Sequence, residues 1–180
     1  KEYPVLPKFS GATAAALPTL DVATISLAGA RILGFEGILT GTTNYILTRL
    51  EQGLTFDEAL EEAQAKGIAE PDPSMDIDGW DTACKLVLIA NAAVATKFTI
   101  KDIAVEGIRK VTARTIQEAR ASGNSLKLLG WLSEDAGVYR ADSGLTLYLN
   151  GEQVAAQAVK GSITFAPRAG YVLGMVARPE

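Results

Sequence analysis

The sequence predicts an α/β (α+β) protein of one domain, residues 1–180, in which helices pack on a mixed β-sheet. Three observations lead to this fold class. Apolar residues at helical spacing, together with capping residues, dominate the first two-thirds of the chain, whereas short β-branched segments separated by glycine and asparagine dominate the last third. In addition, 180 residues, of which 48% are hydrophobic, suffice to bury one sizeable core. We therefore expect the helices to come mainly from the first part of the chain and the sheet mainly from the last part.

Glycines bound the elements that are expected in the first 70 residues. These elements are a helix at 19–30, a buried strand at 31–39, a helix at 41–53 and a helix at 55–67. The last helix begins with a capping box, because Thr55 is followed three residues later by Glu58. The strand, the turn at Gly41 and the helix after it form a strand, tight turn and helix unit.

One long and mostly buried helix is expected at 78–95. Spacing of i, i+3, i+4 and i+7 defines its expected inner face, which consists of Trp80, Ala83, Cys84, Val87, Leu88, Asn91 and Val94. A short capped turn at 99–102 and an amphipathic helix at 111–123 follow. The expected strands, which would form a meandering sheet, are 125–134, 137–144, 145–150 and 161–166.

Composition narrows the classes of function. The net charge of −4, without a long basic block, argues against nucleic-acid binding, and no apolar run reaches the ~18 residues of a membrane span. A single cysteine and an N-terminal stretch without the apolar core of a signal peptide lead us to expect a cytoplasmic location. Because the chain has no histidine, proton transfer near neutral pH must use carboxylates, lysine or tyrosine.

Residues 67–85 carry five carboxylates and one lysine. An EF-hand alignment places Lys85 where a bidentate glutamate is required, which excludes a calcium site of this type. A pair of glycosidase carboxylates has little support, because sequence spacing gives no distance between the two groups. Two interpretations stay open. The stretch is either a solvated acidic loop with an ion pair between Asp81 and Lys85, or a proton-transfer site around a lysine that lies beside an apolar run.

Three motifs in this part of the chain resemble homoserine dehydrogenase. They are GILTGTTNYIL at 37–47, EEAQAKGIAEPDP at 61–73 and DIDGWDTACKLVLIA at 76–90. The motifs occur in the family's order, and a looser similarity extends from about residue 10 to the end of the chain. The resemblance implies the NAD- or NADP-dependent interconversion of L-homoserine and L-aspartate 4-semialdehyde, in threonine, methionine and isoleucine biosynthesis. It also implies a homodimer that pairs through the sheet.

The resemblance assigns the catalytic roles to Lys85 and Asp81. Lys85 matches the family's catalytic lysine, and Asp81 matches the acidic residue one helical turn before it. This assignment agrees with the chemistry, because a cationic lysine beside an aldehyde oxygen stabilises the charge that hydride addition creates and can supply the proton.

Four further residues receive binding roles from the resemblance. Glu70 matches the glutamate that holds the ammonium group of the substrate, and Asp76 is expected to be a second substrate contact. Gly41 and Thr42 match the turn that approaches the substrate and the nicotinamide end of the cofactor. Carboxylates suit the first task because they form charge-assisted hydrogen bonds with an ammonium group.

The chain also departs from the family's pattern. It has no G-x-G-x-x-G motif, so we expect the Rossmann domain to be absent from this chain, the cofactor to be bound mainly elsewhere, and the isolated chain to be inactive. A free-standing amino-acid-binding or dimerisation module without catalysis is the alternative function.

A monovalent-cation site is the second point of departure. The resemblance would build it from the backbone carbonyls of Thr13, Ala15 and Leu17. Ser10 stands where the family usually has a glutamate before this turn. Without that carboxylate, the sequence predicts no metal site.

Overall fold

The computed structural model describes residues 10–14, 18–149, 152–153, 162–165 and 173–179. The helices are α1 Ser10–Ala14, α2 Thr19–Asp21, α3 Gly41–Glu51, α4 Phe56–Ala65, α5 Ser74–Ile77, α6 Trp80–Val94 and α7 Ala113–Ala121. A π-helical turn at Val22–Ser26 continues α2, and a 3₁₀ turn lies at Ile100–Asp102. The strands are β1 Ala30–Gly37, β2 Asn124–Asp135, β3 Val138–Leu149, β4 Glu152–Gln153, β5 Ser162–Phe165 and β6 Leu173–Pro179. This arrangement confirms the predicted fold class.

Local signals place the helix ends correctly. Positive φ angles occur at Gly29, Gly53, Gly67 and Gly123, each just beyond a helix or helical turn. The capping box of α4 is formed, with the Thr55 backbone N–H donating to Glu58 Oε2 at 2.8 Å and the Glu58 N–H donating to Thr55 Oγ1 at 3.3 Å. Every helix in the described ranges is too short or too polar to span a bilayer.

The described strands form one antiparallel sheet in the order β4-β3-β2-β1-β6-β5. The prediction of a mixed sheet is therefore wrong in this detail. Between β2 and β3, Ala136 and Gly137 both have positive φ angles, of 50° and 85°, and this tight turn reverses the chain directly. A parallel pairing would instead require a long crossover connection.

Strands β3, β4 and β6 differ from the sequence prediction, in which β4 is absent. The segments expected at 137–144 and 145–150 form one strand, β3, because Gly144 leaves room for its neighbours instead of ending the strand. A Cβ at Gly144 would lie 3.1 Å from Glu106 Oε2 and 3.3 Å from Trp131 Cη2. The strand β6 is not predicted from the sequence, whereas the strand expected at 161–166 is confirmed as β5.

The helices cover one face of the sheet and enclose the core. The β2 residues that point toward the helices are Leu126, Leu128, Gly130 and Leu132. Gly130 allows α6 to approach, because a Cβ at this position would lie 3.0 Å from Leu39 Cδ1 and 3.5 Å from Leu86 Cβ. One apolar cluster lies beneath α6 and includes Phe35, and a second joins α3, α4 and α7 around Ile46.

The opposite face of the sheet carries a third, smaller apolar cluster. Since Gly130 faces α6, its neighbours Leu129 and Trp131 project to the other side. They pack there with Ile38. The sheet therefore has apolar side chains on both faces.

The face of the long helix α6 that packs against the core differs in part from the face predicted from the spacing of its apolar residues. Its buried residues are Thr82, Ala83, Leu86, Ile89 and Ala90. Cys84 is exposed, and the exposed fractions of Trp80 and Leu88 are 44% and 36%. The predicted inner face is therefore only partly correct, since Ala83 is buried and Val87 and Val94 pack against the core. The helix α6 has apolar residues around most of its circumference, so periodicity could not select one face.

Candidate active site

The candidate site lies where three segments of the first hundred residues meet. The chain leaves β1 and enters α3 at Gly41, the acidic loop follows α4, and α6 begins directly after Gly79. These segments place the predicted residues Lys85, Asp81 and Thr42 in one neighbourhood.

Lys85 is held by two acceptors. Its Nζ atom lies 2.7 Å from Asp81 Oδ2, one helical turn earlier, and donates to the Leu39 carbonyl oxygen at 2.9 Å. The exposed fractions of the Lys85 and Asp81 side chains are 25% and 30%. A lysine ammonium has three donors, so a third hydrogen bond to the oxygen of a bound molecule is compatible with this geometry.

Asp81 is fixed in turn by buried hydroxyl groups. Thr40 Oγ1 donates to Asp81 Oδ2 at 3.0 Å and lies 2.9 Å from Thr82 Oγ1. Both threonines are buried, so the carboxylate that holds Lys85 has a rigid partner. Neither threonine is predicted as a site residue from the sequence. Thr40 belongs to the TGTT stretch beside Gly41, which is the signal that could have identified it.

Asp76 joins the same electrostatic cluster. Burial raises the pKa of its carboxyl group above the ordinary value, and the negative charges of Asp81 and Glu70 add to this effect. A hydrogen bond from the Thr42 side chain and the positive charge of Lys85 act in the opposite direction. A carboxylate in such surroundings gains from the approach of a cationic group.

The loop that carries Glu70 is held by hydrogen bonds, whereas the Glu70 side chain itself is exposed. Gln64 Nε2 donates to the Glu70 carbonyl at 3.1 Å and to the Pro71 carbonyl at 3.2 Å. The Ser74 backbone N–H and hydroxyl both donate to Asp72 Oδ1, at 3.1 and 2.5 Å. These bonds fix the backbone on both sides of the two prolines.

The predicted cation turn is only partly within the described residues. Thr13 is buried in α1, while Ala15 and Leu17 lie outside the described residues. In the described ranges, no group of three histidine, cysteine, aspartate or glutamate side chains is placed to hold a metal ion.

The arrangement combines one ammonium group with three carboxylates. Lys85 can stabilise a negative oxygen and exchange a proton with it, and the carboxylates of Asp76 and Glu70 can bind a cationic group nearby. A small molecule that carries both an ammonium group and a reacting oxygen matches this combination.

Comparison with known proteins relates most of the chain to one family. The family model described as homoserine dehydrogenase matches residues 18–171. A homoserine dehydrogenase from Methanocaldococcus jannaschii is 43% identical over 135 residues, which cover 74% of this chain and 40% of the relative. A NAD(+)-dependent homoserine dehydrogenase from Pseudomonas canavaninivorans is 40% identical over 129 residues, which cover 72% of this chain and 37% of the relative.

Solved structures give the same relationship. A homoserine dehydrogenase from Thiobacillus denitrificans matches with a TM-score of 0.73 and 29% identity, over 88% of this chain and 38% of that one. A Staphylococcus aureus homoserine dehydrogenase matches with a TM-score of 0.66 and 33% identity, over 81% of this chain and 38% of that one. The matched segment thus spans about two-fifths of the length of these relatives.

Proposed function

The chain belongs to the homoserine dehydrogenase family, and we propose that it is the substrate-binding, catalytic and dimerisation part of such an enzyme. The proposed reaction is the NAD- or NADP-dependent interconversion of L-homoserine and L-aspartate 4-semialdehyde, in threonine, methionine and isoleucine biosynthesis. One observation carries the proposal. Lys85 is held between Asp81 and the Leu39 carbonyl, beside the partly buried carboxylate of Asp76.

Lys85 is the proposed acid and base of the reaction. In aldehyde reduction its ammonium group donates a hydrogen bond to the aldehyde oxygen, stabilises the developing negative charge and then transfers the proton. In the reverse direction the neutral amine accepts the proton of the homoserine hydroxyl. Asp81 and the Leu39 carbonyl keep the nitrogen in place during both steps.

Glu70 and Asp76 are the proposed partners of the substrate's ammonium group. The cation would relieve the repulsion among Asp76, Asp81 and Glu70, and this repulsion contributes to the raised pKa of Asp76. Binding at this end directs the other end of the substrate toward Lys85. The substrate is thereby positioned through its charged group before the reaction occurs at the oxygen.

We propose that Gly41 and Thr42 contact the nicotinamide end of the cofactor. Gly41 has no side chain at the start of α3, and Thr42 places a hydroxyl beside Asp76. When bound, the nicotinamide ring supplies or accepts the hydride. Because the sequence has no G-x-G-x-x-G motif, the rest of the cofactor would be held by a nucleotide-binding part outside this segment.

We also propose an oligomeric state and a cellular location for the protein. Trp131 is half-buried on the sheet face opposite the helices, where it packs on buried Ile38 and Leu129, and its remaining exposed surface supports a homodimer that pairs through the sheet. A cytoplasmic location is consistent with the exposed free thiol of Cys84.

The first test is the Lys85→Met variant of the full-length polypeptide that contains this segment. Methionine keeps the length of the side chain and removes its charge, so kcat for homoserine oxidation should fall roughly 10²- to 10⁴-fold. Exposed Lys97, beyond the C-terminal end of α6, offers a matched control, and Lys97→Met should retain wild-type turnover.

Three outcomes would each contradict part of the proposed function. Full activity in the Lys85→Met protein would remove the lysine from the chemistry. Turnover by the isolated 180-residue chain would show that no separate nucleotide-binding part is required. Homoserine binding without any turnover by the full-length polypeptide would favour the amino-acid-binding module instead.

A further inference from the structure

Two glycines bring the acidic loop into direct backbone contact with residues 106–108. A Cβ on Gly79 would lie 2.5 Å from the Glu106 carbonyl oxygen, and a Cβ on Gly107 would lie 2.2 Å from the Ile77 oxygen and 2.6 Å from the Cα and carbonyl carbon of Asp78. All of these neighbours are backbone atoms, which cannot rotate away as a side chain can. The two segments can approach this closely only because both positions are glycine.

Polar contacts continue on the C-terminal side of the glycine contact. The Ile108 backbone N–H donates to the Ile77 carbonyl at 2.8 Å. The Arg109 guanidinium binds both oxygens of Asp78, with Nε donating to Oδ1 at 2.7 Å and Nη2 donating to Oδ2 at 3.0 Å. These two parallel hydrogen bonds form a fork, which fixes both the distance between the two side chains and their relative orientation.

The segment that holds the loop is itself tied to the edge of the sheet. Ala104 forms a parallel bridge with Asp142 of β3, and the Ser143 N–H donates to the Ala104 carbonyl at 3.1 Å. Two residues later, Glu106 Oε2 accepts from the Leu145 N–H at 3.5 Å. The sheet edge and the acidic loop are therefore connected through one short segment, residues 104–109.

The contact with residues 104–109 involves the part of the acidic loop that lies between Asp76 and the helix α6. Asp76 lies directly before the contacted residues, and α6, which carries Asp81 and Lys85, begins directly after them. A change in the backbone at residues 77–79 would shift Asp76 relative to Lys85. Displacements of about 1 Å in a reacting site can reduce the rate by roughly 10²-fold.

We propose that Gly107 and Arg109 are positioning residues of the homoserine site. They hold residues 77–79 against the sheet edge and so set the spacing between Asp76 and Lys85. The inference rests on the proposed function, since it concerns the same substrate site. The residues that determine the geometry of the site would then include a segment about 30 residues after the acidic loop. This segment does not touch the substrate and acts by holding the acidic loop in place.

The test uses Arg109→Gln and Asp78→Asn in the full-length enzyme, with KM for homoserine as the readout. Each variant removes the fork, and KM for homoserine should rise roughly tenfold while KM for the cofactor stays within about twofold. Both variants should fold, because an exposed ion pair contributes little to stability. The matched control is Arg114→Gln, which breaks the exposed ion pair with Glu118 on α7 and should change neither constant.

A purely structural role of the fork predicts a different result. Loss of folded protein would lower the apparent kcat and the melting temperature without changing KM. An unchanged homoserine KM in both fork variants would therefore overturn the inference. Arg109→Lys, which keeps the charge but not the fork, should give an intermediate KM.

The outcome also separates this inference from the proposed function. If Lys85→Met is inactive and both Arg109→Gln and Asp78→Asn keep the wild-type KM for homoserine, only the positioning role fails. If the full-length wild-type protein does not turn over homoserine, both proposals fail together. Gly107→Ala is a further variant, and we expect it to raise the homoserine KM more strongly than Arg109→Gln, because the added methyl group forces the two backbones apart.

Discussion

At the scale of single residues, the ionised carboxyl group of Asp76, a proposed substrate contact, lowers the stability of the folded protein at neutral pH. Its carboxyl group is partly buried and lies near Asp81 and Glu70, and both burial and these charges favour the protonated form. The folded protein therefore binds this proton more tightly than the unfolded chain does. The associated stability is fully present at low pH and is lost as the pH rises through the raised pKa.

The first prediction concerns Asp76→Asn. Removing the ionised carboxylate should raise the melting temperature at pH 7, and the gain should disappear near pH 3, where the wild-type group is protonated. Homoserine affinity should fall in the same variant, because a partner of the substrate ammonium is lost. Thermal unfolding at the two pH values and a binding titration measure the two effects.

Asp72 in the same loop provides the control, because its pKa is shifted in the opposite direction to that of Asp76. Its hydrogen bonds from Ser74 lower the pKa of its carboxyl group, so its contribution to stability is present at neutral pH and is lost on acidification. Asp72→Asn should accordingly lower the melting temperature at pH 7. Equal effects of the Asp72 and Asp76 variants would contradict our account of Asp76.

At the scale of secondary structure, one carboxylate joins two helices. Arg49 of α3 donates to both oxygens of Glu62 on α4, from Nε at 2.7 Å and from Nη2 at 2.8 Å. Lys66, one turn after Glu62, lies 2.5 Å from its Oε1. Together these partners, with the Lys66 hydrogen bond the largest cause, lower the pKa of Glu62 to about 2. The pair α3 and α4 thus depends on an ionised Glu62.

We predict that Glu62→Gln lowers the urea midpoint at pH 7. A depressed folded-state pKa gives stability that is present above the unfolded-state pKa and lost as the pH falls toward about 2. The difference between wild type and variant should therefore shrink steadily below pH 4.5, the ordinary value for glutamate. Exposed Glu61 on the same helix gives the control, since Glu61→Gln should leave the midpoint unchanged. If the urea midpoints of wild type and Glu62→Gln differed by the same amount at all pH values, the effect of the substitution would come from packing and not from the charge of Glu62.

At the scale of the whole molecule, the proposed homodimer would form through the sheet face that points away from the helices. Trp131 is half-buried on this face and packs on buried Leu129 and Ile38, and a partly exposed large aromatic side chain is the kind of residue that dominates interfaces. Trp131→Glu should weaken the dimer roughly 30-fold or more, which sedimentation velocity would record as a shift to monomer. Val138→Glu is the control, because Val138 is exposed at the tip of the β2–β3 hairpin. Unchanged sedimentation of the Trp131 variant would place the interface elsewhere.

The local features of this protein can be read from short stretches of its sequence. Glycines and capping residues mark the helix ends, and the four-residue spacing of Asp81 and Lys85 brings them together on any helix. These features depend on neighbours within one or two turns, so the chain shows them directly. The family motifs lead to the proposed site residues for the same reason, since each motif is contiguous.

The long-range features arise from the way in which distant parts of the chain pack together. The pairing of β6 with β1, the face that α6 turns to the core, and the contact between Thr40 and Asp81, 41 residues apart, depend on side chains from distant parts of the chain. The contact of Gly79 with Gly107 is of the same kind, since each glycine is needed only because the other backbone is there. Local periodicity has no access to such contacts, because packing against a distant partner selects among arrangements that the local sequence leaves equivalent.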